Sequence, residues 1–353
     1  MILIIRIMKS LYDISWKVNE EEYRSDQAYS YSTIARFNRE GFNGLRNLYD
    51  KVETPSLLFG SMVDTLLTDG QEEFNKRYEV AELPDISDSL AQVAKMLFNT
   101  CHESYSSIEQ IPDSIISSTG ESCGYYSNPK YASYRIRKIK EECRDYYSLL
   151  FLSKDKTLVS TKDYISACEC VEVLKTHRMT KWYFEPNNPF NPEIERFYQL
   201  KFKGEWNGIP LRCMADLLVV NHKDKSIIPC DLKTSGKNEW EFYKSFIDWN
   251  YWIQAQLYWY LIRQTLDKDD LYKNYRLLDY RFIVINKYNK KPLIWIYEDT
   301  VGFEDHIYGR NKQYLCRHWS KIVSELHHYS TNNVEYPINI SKTNMITDWL
   351  NNE

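Results

Sequence analysis

The chain has 353 residues, of which 43% are hydrophobic and 15% aromatic, and its formal net charge is −4. This length fits one large elaborated domain or two small ones, and the apolar content is far above that of disordered chains. The small net charge excludes a surface that is basic throughout. A nucleic-acid-binding surface would therefore have to be a local patch.

The cysteines and the first residues bear on the compartment. The eight cysteines include no CxxC pair. In a chain of this length without a secretory signal they predict reduced thiols and a cytoplasmic protein. The apolar opening MILIIRIM is too short to span a membrane and lacks the cleavage site of a signal peptide, so we expect no membrane contact. Whether the natural start is Met1 or Met8 stays open.

The first elements in chain order are helical. Residues 26–50 predict a helix after a serine cap at Ser30 or Ser32. Residues 56–69 form a second apolar run with helical spacing. Residues 85–185 are mostly helical in pattern. Within them, residues 131–147 carry five basic residues, which favour a solvated helix face over a face that contacts DNA.

From residue 196 the pattern changes to strands. Two strands joined by the polar turn NHKDKS predict a hairpin, and a long amphipathic helix follows. Two more strands and a closing helix follow, and strands flanked by helices on both sides in sequence predict an α/β or α+β core. The predicted strands are 196–203, 211–220, 227–235, 280–286 and 293–298, and the predicted helices of this part are 246–265 and 310–329.

The chemistry centres on two aspartates and a lysine in the hairpin. Asp216 lies in its first strand, and Asp231 and Lys233 lie in its second. Because side chains alternate along a strand, Asp231 and Lys233 share a face, and strand pairing can bring Asp216 beside them. Two carboxylates on apolar strands repel each other and lose hydration. A shared divalent cation removes both penalties.

Oxygen ligands suit Mg²⁺ or Mn²⁺, and the backbone carbonyl of Leu232 could add another ligand. The metal would bind a phosphate oxygen and lower the pKa of a bound water. Lys233 would orient or help deprotonate that water and neutralise phosphate charge; burial would lower the pKa of Lys233 and the carboxylates would raise it. The alternative is a surface salt bridge, because Asp-x-Lys alone is common. Against it, Asp and Lys are poor strand formers within an apolar run.

A third element lies on the long helix. Gln254 and Tyr258 are four residues apart in WIQAQLYWY, so they share a helix face. That pair could bind a phosphate backbone or brace the active site. The alternative for the pair alone is ordinary amphipathic packing.

These motifs together resemble the PD-(D/E)XK nuclease superfamily, and specifically the RecE-like phage and prophage exonucleases of the exodeoxyribonuclease VIII type. The resemblance rests on strand-Asp, strand-DxK and a following QxxxY helix. It extends to YSYSTIARF (29–37), to LLFGSMVDTLLTDGQEEFNKRYEVAE (57–82) and to DYISACECVEVLKTHRMTKWYF (163–184). It implies an α/β fold with a restriction-endonuclease-like core, that is, a central mixed β-sheet flanked by helices, and a helical N-terminal and inserted region. The expected organisation is one nuclease domain over 1–353, with N-terminal site helices at 26–84, a helical insertion at 85–185 and the catalytic core at 190–330.

The resemblance also bears on the metal ligands. Where those exonucleases usually carry a metal-binding histidine, this chain has Asp64, which we expect as a further ligand; the alternative is a carboxylate on the surface of an amphipathic helix. Glu193, Glu195 and Glu205 are the alternatives, because they are nearer the sheet in sequence. Some related nucleases hold an iron–sulfur cluster through three cysteines after the QxxxY helix. Only Cys316 follows that helix here, so no cluster is expected.

The function implied is a Mg²⁺-dependent exonuclease on double-stranded DNA that degrades from the 5′ end during phage recombination. The resemblance further implies a homo-oligomeric ring around DNA, a single-strand annealing protein as partner, and the host cytoplasm for a phage-encoded enzyme. Ser32 and Arg36, in the serine-rich helix start, are DNA-binding candidates. Basic residues near the site could hold the backbone without reading sequence: Arg212, Lys237, Lys244, Lys287, Lys290 and Lys291.

Two other functions remain open at this point. An endonuclease of the same fold would use the same metal site in an open groove. A catalytically inactive DNA-binding or assembly module of a phage replication complex would retain the fold alone. Closed circular DNA distinguishes the first alternative, and Mn²⁺ binding distinguishes the second.

Overall fold

The computed structural model describes residues 10–50, 52, 54–153, 156–190, 193–309 and 312–332. It divides into two compact units. The first contains residues up to Thr54 and from Glu172 onward, and the second contains Pro55–Val171. Both Met1 and Met8 lie outside the described residues. No helix in the described ranges is long and apolar enough to cross a membrane, and no disulfide joins any two cysteines there.

Most of the described helices lie in the first half of the chain, and most of the described strands lie in the second. The helices are α1 Leu11–Ile14, α2 Glu20–Ser25, α3 Tyr31–Glu40, α4 Phe42–Arg46, α5 Pro55–Thr68, α6 Gln71–Arg77, α7 Asp88–Cys101, α8 Asp113–Ser122, α9 Ala132–Glu142, α10 Arg144–Ser153, α11 Thr161–Thr176, α12 Lys181–Phe184, α13 Phe242–Asp248, α14 Tyr251–Leu266 and α15 Trp319–Thr331. The strands are β1 Tyr78–Ala81, β2 Thr157–Ser160, β3 Ile194–Trp206, β4 Ile209–Asn221, β5 Ser226–Ser235, β6 Arg276–Leu277, β7 Tyr280–Asn286, β8 Pro292–Tyr297, β9 His306–Tyr308 and β10 Tyr314–Cys316.

The first unit is built on a mixed sheet with the strand order β3-β4-β5-β7-β8, and β6 also pairs with β5. β3, β4 and β5 are antiparallel, β5 and β7 are parallel, and β8 returns antiparallel to β7. Helix α14 packs on β3, β4 and β7, and α3 and α15 pack on α14. The predicted α/β fold with a central mixed sheet and flanking helices is therefore confirmed.

Local sequence explains the two hairpins. Trp206 and Ile209 close the β3–β4 hairpin through Asn207-Gly208, which have φ values of 50° and 78°. Two positive φ values are those of the type I′ turn, for which Asn-Gly is the favoured pair. The predicted β4–β5 hairpin is confirmed, with Asn221 paired to Ser226. Residues 217–220 are buried throughout, as in a central strand that is covered on both faces.

Three predicted helices differ from the structure. The helix expected over 246–265 is broken at Asn250, whose left-handed φ of 58° ends α13 and begins α14. Asparagine tolerates this conformation, and the Asn250 amide donates to the Ile247 carbonyl at 2.8 Å. The helix expected over 26–50 divides at Gly41, with φ 57°. Within the segment 310–329, Tyr314–Cys316 form strand β10, and α15 starts only after its cap at His318.

The second unit is mostly helical, with one parallel β1–β2 pair. Its core includes Leu97, Ile116, Ile139 and Tyr147. The segment 26–84, predicted as N-terminal site helices, is divided between the units, because α3 belongs to the first and α5 and α6 belong to the second.

The basic stretch of α9 and α10 serves this second unit. Arg135 is fully buried, where it ion-pairs with Glu121 and donates to the Ser117 hydroxyl at 2.6 Å. Lys140 contacts Asp113 at 2.6 Å. The prediction of a solvated face is therefore wrong for Arg135.

Candidate active site

The candidate site lies where strands β4 and β5 part. Their ladder ends at the pair Leu217 and Cys230, so the next residues toward the site, Asp216 and Asp231, lie just beyond it. On the other side of β4, strand β3 pairs Tyr198 with Leu217 and Leu200 with Ala215. The regular ladder is interrupted between these pairs, where Gln199, with a φ of 53°, lies opposite Asp216. Asp216 thus lies at an irregularity on both sides of its strand, which is where functional side chains are often presented.

Asp216 bridges the opening through its side chain. Its Oδ2 accepts a hydrogen bond from the backbone N–H of Leu232 at 2.9 Å. This contact replaces a ladder hydrogen bond, so the carboxylate lies between the strands next to the segment that carries Asp231. The structure therefore brings together the two carboxylates that the sequence placed on neighbouring strands.

Asp231 is the most buried member of the site, with 2% of its surface exposed. The Nε2 of Gln254 donates to its Oδ1 at 2.5 Å, and the Nζ of Lys233 lies 2.5 Å from its Oδ2. A buried carboxylate needs such partners, because an isolated charge in the interior is strongly disfavoured. Gln254 reaches it from α14, so this helix fixes the orientation of the carboxylate.

Lys233 is held as a cation. Burial lowers the pKa of its ammonium group, but Asp231, Tyr251 and Asp216 act in the opposite direction and more strongly, so the pKa is raised above its usual value. The Nζ also lies 4.8 Å from the ring centroid of Tyr251, which is a cation–π contact. Of the two opposing effects expected from the sequence, the raising of the pKa by the carboxylates is larger than its lowering by burial. Lys233 is therefore suited to neutralise negative charge.

Tyr258 lies on α14, one turn beyond Gln254, and is buried. Its ring meets that of Tyr280 edge to face, with centroids 6.2 Å apart. Burial raises the pKa of its hydroxyl well above the usual value, and the nearby carboxylates Asp231 and Asp216 add to this. The hydroxyl therefore stays protonated and can act as a hydrogen-bond donor. The amide of Gln256, also buried on α14, donates to the Tyr297 hydroxyl at 3.1 Å, whereas that of Gln254 donates to Asp231.

Two tyrosines that the sequence reasoning did not identify belong to the same cluster. Tyr251 lies beneath the Lys233 ammonium group, and its ring centroid is 6.4 Å from that of Tyr31. Tyr31, on the first turn of α3, donates to the Trp249 carbonyl at 2.6 Å. A signal for Tyr251 existed, because it precedes Gln254 by three residues and Tyr258 by seven, which places all three on one helix face. With 29 tyrosines in the chain, no pattern marked Tyr31.

Asp216 and Asp231 supply oxygen donors, the chemistry that Mg²⁺ and Mn²⁺ favour, and a half-buried and a buried carboxylate on neighbouring strands gain from a divalent cation. The residues at this position therefore fit such an ion, with Leu232 between them along the chain. Elsewhere in the described ranges, and here, no three His, Cys, Asp or Glu side chains are grouped so that they could hold a metal.

The other candidate ligands lie apart from this cluster. Glu195 binds His222 at 2.6 Å, and Glu193 lies 3.6 Å from Lys223, both toward the β4–β5 turn. Counted along β3 from Gln199, which lies beside Asp216, Glu195 is about 13 Å away, and Glu193 and Glu205 are about 20 Å away. The structure therefore contradicts these three alternatives. Asp64 is half-buried on α5 of the second unit, and its role as a ligand stays a prediction.

Two of the residues predicted to contact DNA, Arg212 and Arg36, instead bind backbone carbonyls inside the protein. The Arg212 guanidinium is buried, donates to the Ala28 carbonyl at 3.0 Å and to that of Tyr23, and lies over the Tyr23 ring. Arg36 is also buried, and it donates to the carbonyls of Asn47 and Asp50. Because backbone carbonyls already occupy these guanidinium groups, the assignment of both residues to DNA is wrong.

The remaining DNA candidates lie at the surface. Ser32 is exposed, and its hydroxyl lies 2.9 Å from that of Ser30. Lys237 pairs with Asp248 at 2.9 Å, and Lys244 pairs with Glu241 at 2.5 Å. Exposed ion pairs of this kind are weak, so a phosphate could compete for either lysine. Their DNA contacts stay predictions.

Comparison with known proteins adds little to this geometry. No protein-family model matches the sequence, and no curated protein matches it. A similar solved structure is that of a protein from Eubacterium rectale described as a "putative exonuclease". The two chains are 13% identical, the match covers 90% of this chain and 84% of that one, and the TM-score is 0.42. A likeness at this level carries no argument about fold or activity.

Proposed function

We propose that this chain is a metal-dependent DNA nuclease that hydrolyses phosphodiester bonds. The observation that supports it is the convergence of Asp216, Asp231 and Lys233 at the opening between β4 and β5, with Gln254 bonded to Asp231. A structural salt bridge does not require a second carboxylate at the same opening. A buried and a half-buried carboxylate beside a cation are the arrangement expected of a site that binds a metal ion and a phosphate.

Each residue has a distinct role in the proposed site. Asp216 and Asp231 would hold Mg²⁺ or Mn²⁺, with the Leu232 carbonyl as a further donor. A bound ion of this kind supplies an activated water and neutralises charge on the phosphate. Lys233, which stays protonated, would contact the scissile phosphate as a cation rather than remove a proton. Gln254 would orient Asp231, and the buried Tyr258 hydroxyl would remain a hydrogen-bond donor.

The finer assignment rests on the sequence resemblance. The order of strand-Asp, strand-DxK and QxxxY helix is similar to that of the RecE-like exonucleases of the PD-(D/E)XK superfamily. We therefore propose an exonuclease on double-stranded DNA that degrades from the 5′ end. A homo-oligomeric ring and a single-strand annealing partner are part of the same proposal. So is Asp64 as an additional metal ligand.

The experiment compares linear and closed circular duplex DNA, with Mg²⁺ and with EDTA, using the wild type and Asp231→Asn. The proposed exonuclease degrades only the linear substrate, requires Mg²⁺ and loses activity in the variant. Asp224→Asn is a matched control, because this exposed aspartate lies in the β4–β5 turn outside the site. Nicking of circular DNA would indicate an endonuclease. Failure to cut either substrate, together with unaltered Mn²⁺ binding in Asp231→Asn, would contradict the proposed site.

A further inference from the structure

Two exposed aromatic rings stand at the end of the sheet toward which the candidate site opens. Trp240 is 83% exposed and Tyr288 is 72% exposed, in loops that directly follow β5 and β7. β5 and β7 are parallel, with Ser235 opposite Asn286, so both loops leave the same edge of the sheet. Ligands of open α/β sheets bind at this edge, outside the carboxyl ends of the strands.

Hydrogen bonds join the two loops to each other and to the sheet, although the rings are exposed. The Lys287 N–H donates to the Ser235 carbonyl at 2.9 Å, and the Asn286 amide donates to the Lys237 carbonyl at 2.9 Å, so the two loops are joined. Within the first loop, the Asn238 side chain accepts from the Trp240 N–H at 3.1 Å. The exposed rings are therefore carried by loops whose backbones are hydrogen-bonded.

Gly236 gives Tyr288 its position. A Cβ atom added at Gly236 would lie 3.2 Å from Cε2 of Tyr288, so the ring packs against the bare backbone at the end of β5. Gly236 is three residues after Lys233, about 10 Å along an extended chain. This distance is short enough for one DNA strand to contact both Lys233 and the rings.

The charge around the rings suits a nucleic-acid strand. The two loops, 236–241 and 287–291, contain two glutamates and four lysines: Lys237, Lys287, Lys290 and Lys291. The Nζ of Lys287 lies 5.0 Å from the Tyr288 ring centroid. Exposed rings in a basic surface are the combination that binds unpaired bases by stacking while cations contact the phosphates.

We propose that Trp240 and Tyr288 form a stacking platform for the bases of an unpaired DNA strand that leads into the active site. The proposal deepens the nuclease function proposed above and rests on it for the identity of the ligand as DNA. A strand whose phosphate lies at Lys233 would have bases a few nucleotides away in contact with the rings. Duplex DNA, whose bases are already stacked on each other, would gain less from the platform.

The test measures binding apart from cleavage. A fluorescently labelled oligothymidylate is titrated with the full chain in EDTA at fixed salt, and its anisotropy is recorded. The double variant Trp240→Ala/Tyr288→Ala is expected to bind about tenfold or more weakly than the wild type. Trp240→Phe/Tyr288→Phe keeps flat rings and should bind nearly as tightly as the wild type. Phe190→Ala, which removes a 95% exposed aromatic elsewhere, is the matched control and should bind as the wild type does.

An abasic oligonucleotide of the same length identifies the contact. On it, the wild type and the double alanine variant should bind equally, because no bases remain to stack. Equal binding of the two proteins to oligothymidylate would overturn the proposal, as would an equal loss of binding on both oligonucleotides. If the wild type shows base-dependent binding through these rings but cuts no DNA, the platform stands and the nuclease function fails.

Discussion

Replacing Lys233 by methionine tests whether its pair with Asp231 is a buried ion pair. The variant keeps the apolar stem but leaves the carboxylate, 2% exposed, without its cation. Breaking a buried pair in this way costs about 3–5 kcal/mol, whereas an exposed pair contributes about 0–1 kcal/mol. At 2–4 °C per kcal/mol for a domain of about this size, the expected fall in Tm is roughly 6–20 °C.

The assay is thermal unfolding in EDTA, so that no metal contributes to stability. The double variant Lys233→Met/Asp231→Asn removes both charges and should regain most of the loss, with a coupling free energy of about 3 kcal/mol. Lys273→Met is a matched control, since Lys273 contacts Asp270 at 2.7 Å but both side chains are about half or more exposed. A loss from Lys233→Met no larger than that of the control would refute the buried ion pair.

Three further predictions concern other parts of the first unit. Burial lowers the pKa of His318 to about 4, so the unfolded chain takes up a proton at higher pH than the folded one does. About 3 kcal/mol of stability is therefore lost as the pH falls from about 6.5 to 4. In urea unfolding, His318→Asn should keep the helix cap and lose this part of the pH dependence. Arg212→Met removes the charge and the donors to the Ala28 and Tyr23 carbonyls, so it should lower the unfolding free energy by about 1–3 kcal/mol and leave the salt dependence of DNA binding unchanged; a shallower salt slope would restore a phosphate contact. Gln254→Met, which removes the donor to Asp231, should weaken Mn²⁺ binding about 10- to 100-fold in calorimetry, whereas Gln256→Met should not; equal effects of the two would contradict the orienting role.

The sheet was more predictable than the helices because alternation of apolar and polar residues is a strong signal. The β4–β5 hairpin and β7 lie within one or two residues of their predicted bounds. Alternation also predicted that Asp231 and Lys233 share a face, and the structure has them in contact. The break at Asn250 was not predictable, because a single asparagine in an amphipathic run gives no sign of its left-handed conformation.

Side-chain environments set by distant parts of the chain were the least predictable. Arg212 looked like a surface cation beside the site, but the carbonyls that bury it come from residues more than 180 positions earlier. Tyr31 reaches the cluster in the same way, through the packing of α3 on α14. Local patterns do not contain such pairings. Glu193 and Glu205 are near the sheet in sequence, but this was misleading, because β3 is long enough to place them far from Asp216.

The division of the chain also has a consequence for the order in which the protein forms during synthesis. Helix α3 packs on α14 and α15, which come late in the chain. Residues 55–171, which make up the whole second unit, are translated after α3 but before α14 and α15. At 5–20 residues per second, the ribosome needs roughly 7–30 s to pass from Thr54 to the first strand of the large sheet at Ile194. The second unit can therefore fold before α14 and α15 are synthesised, and the buried face of α3 stays uncovered until then.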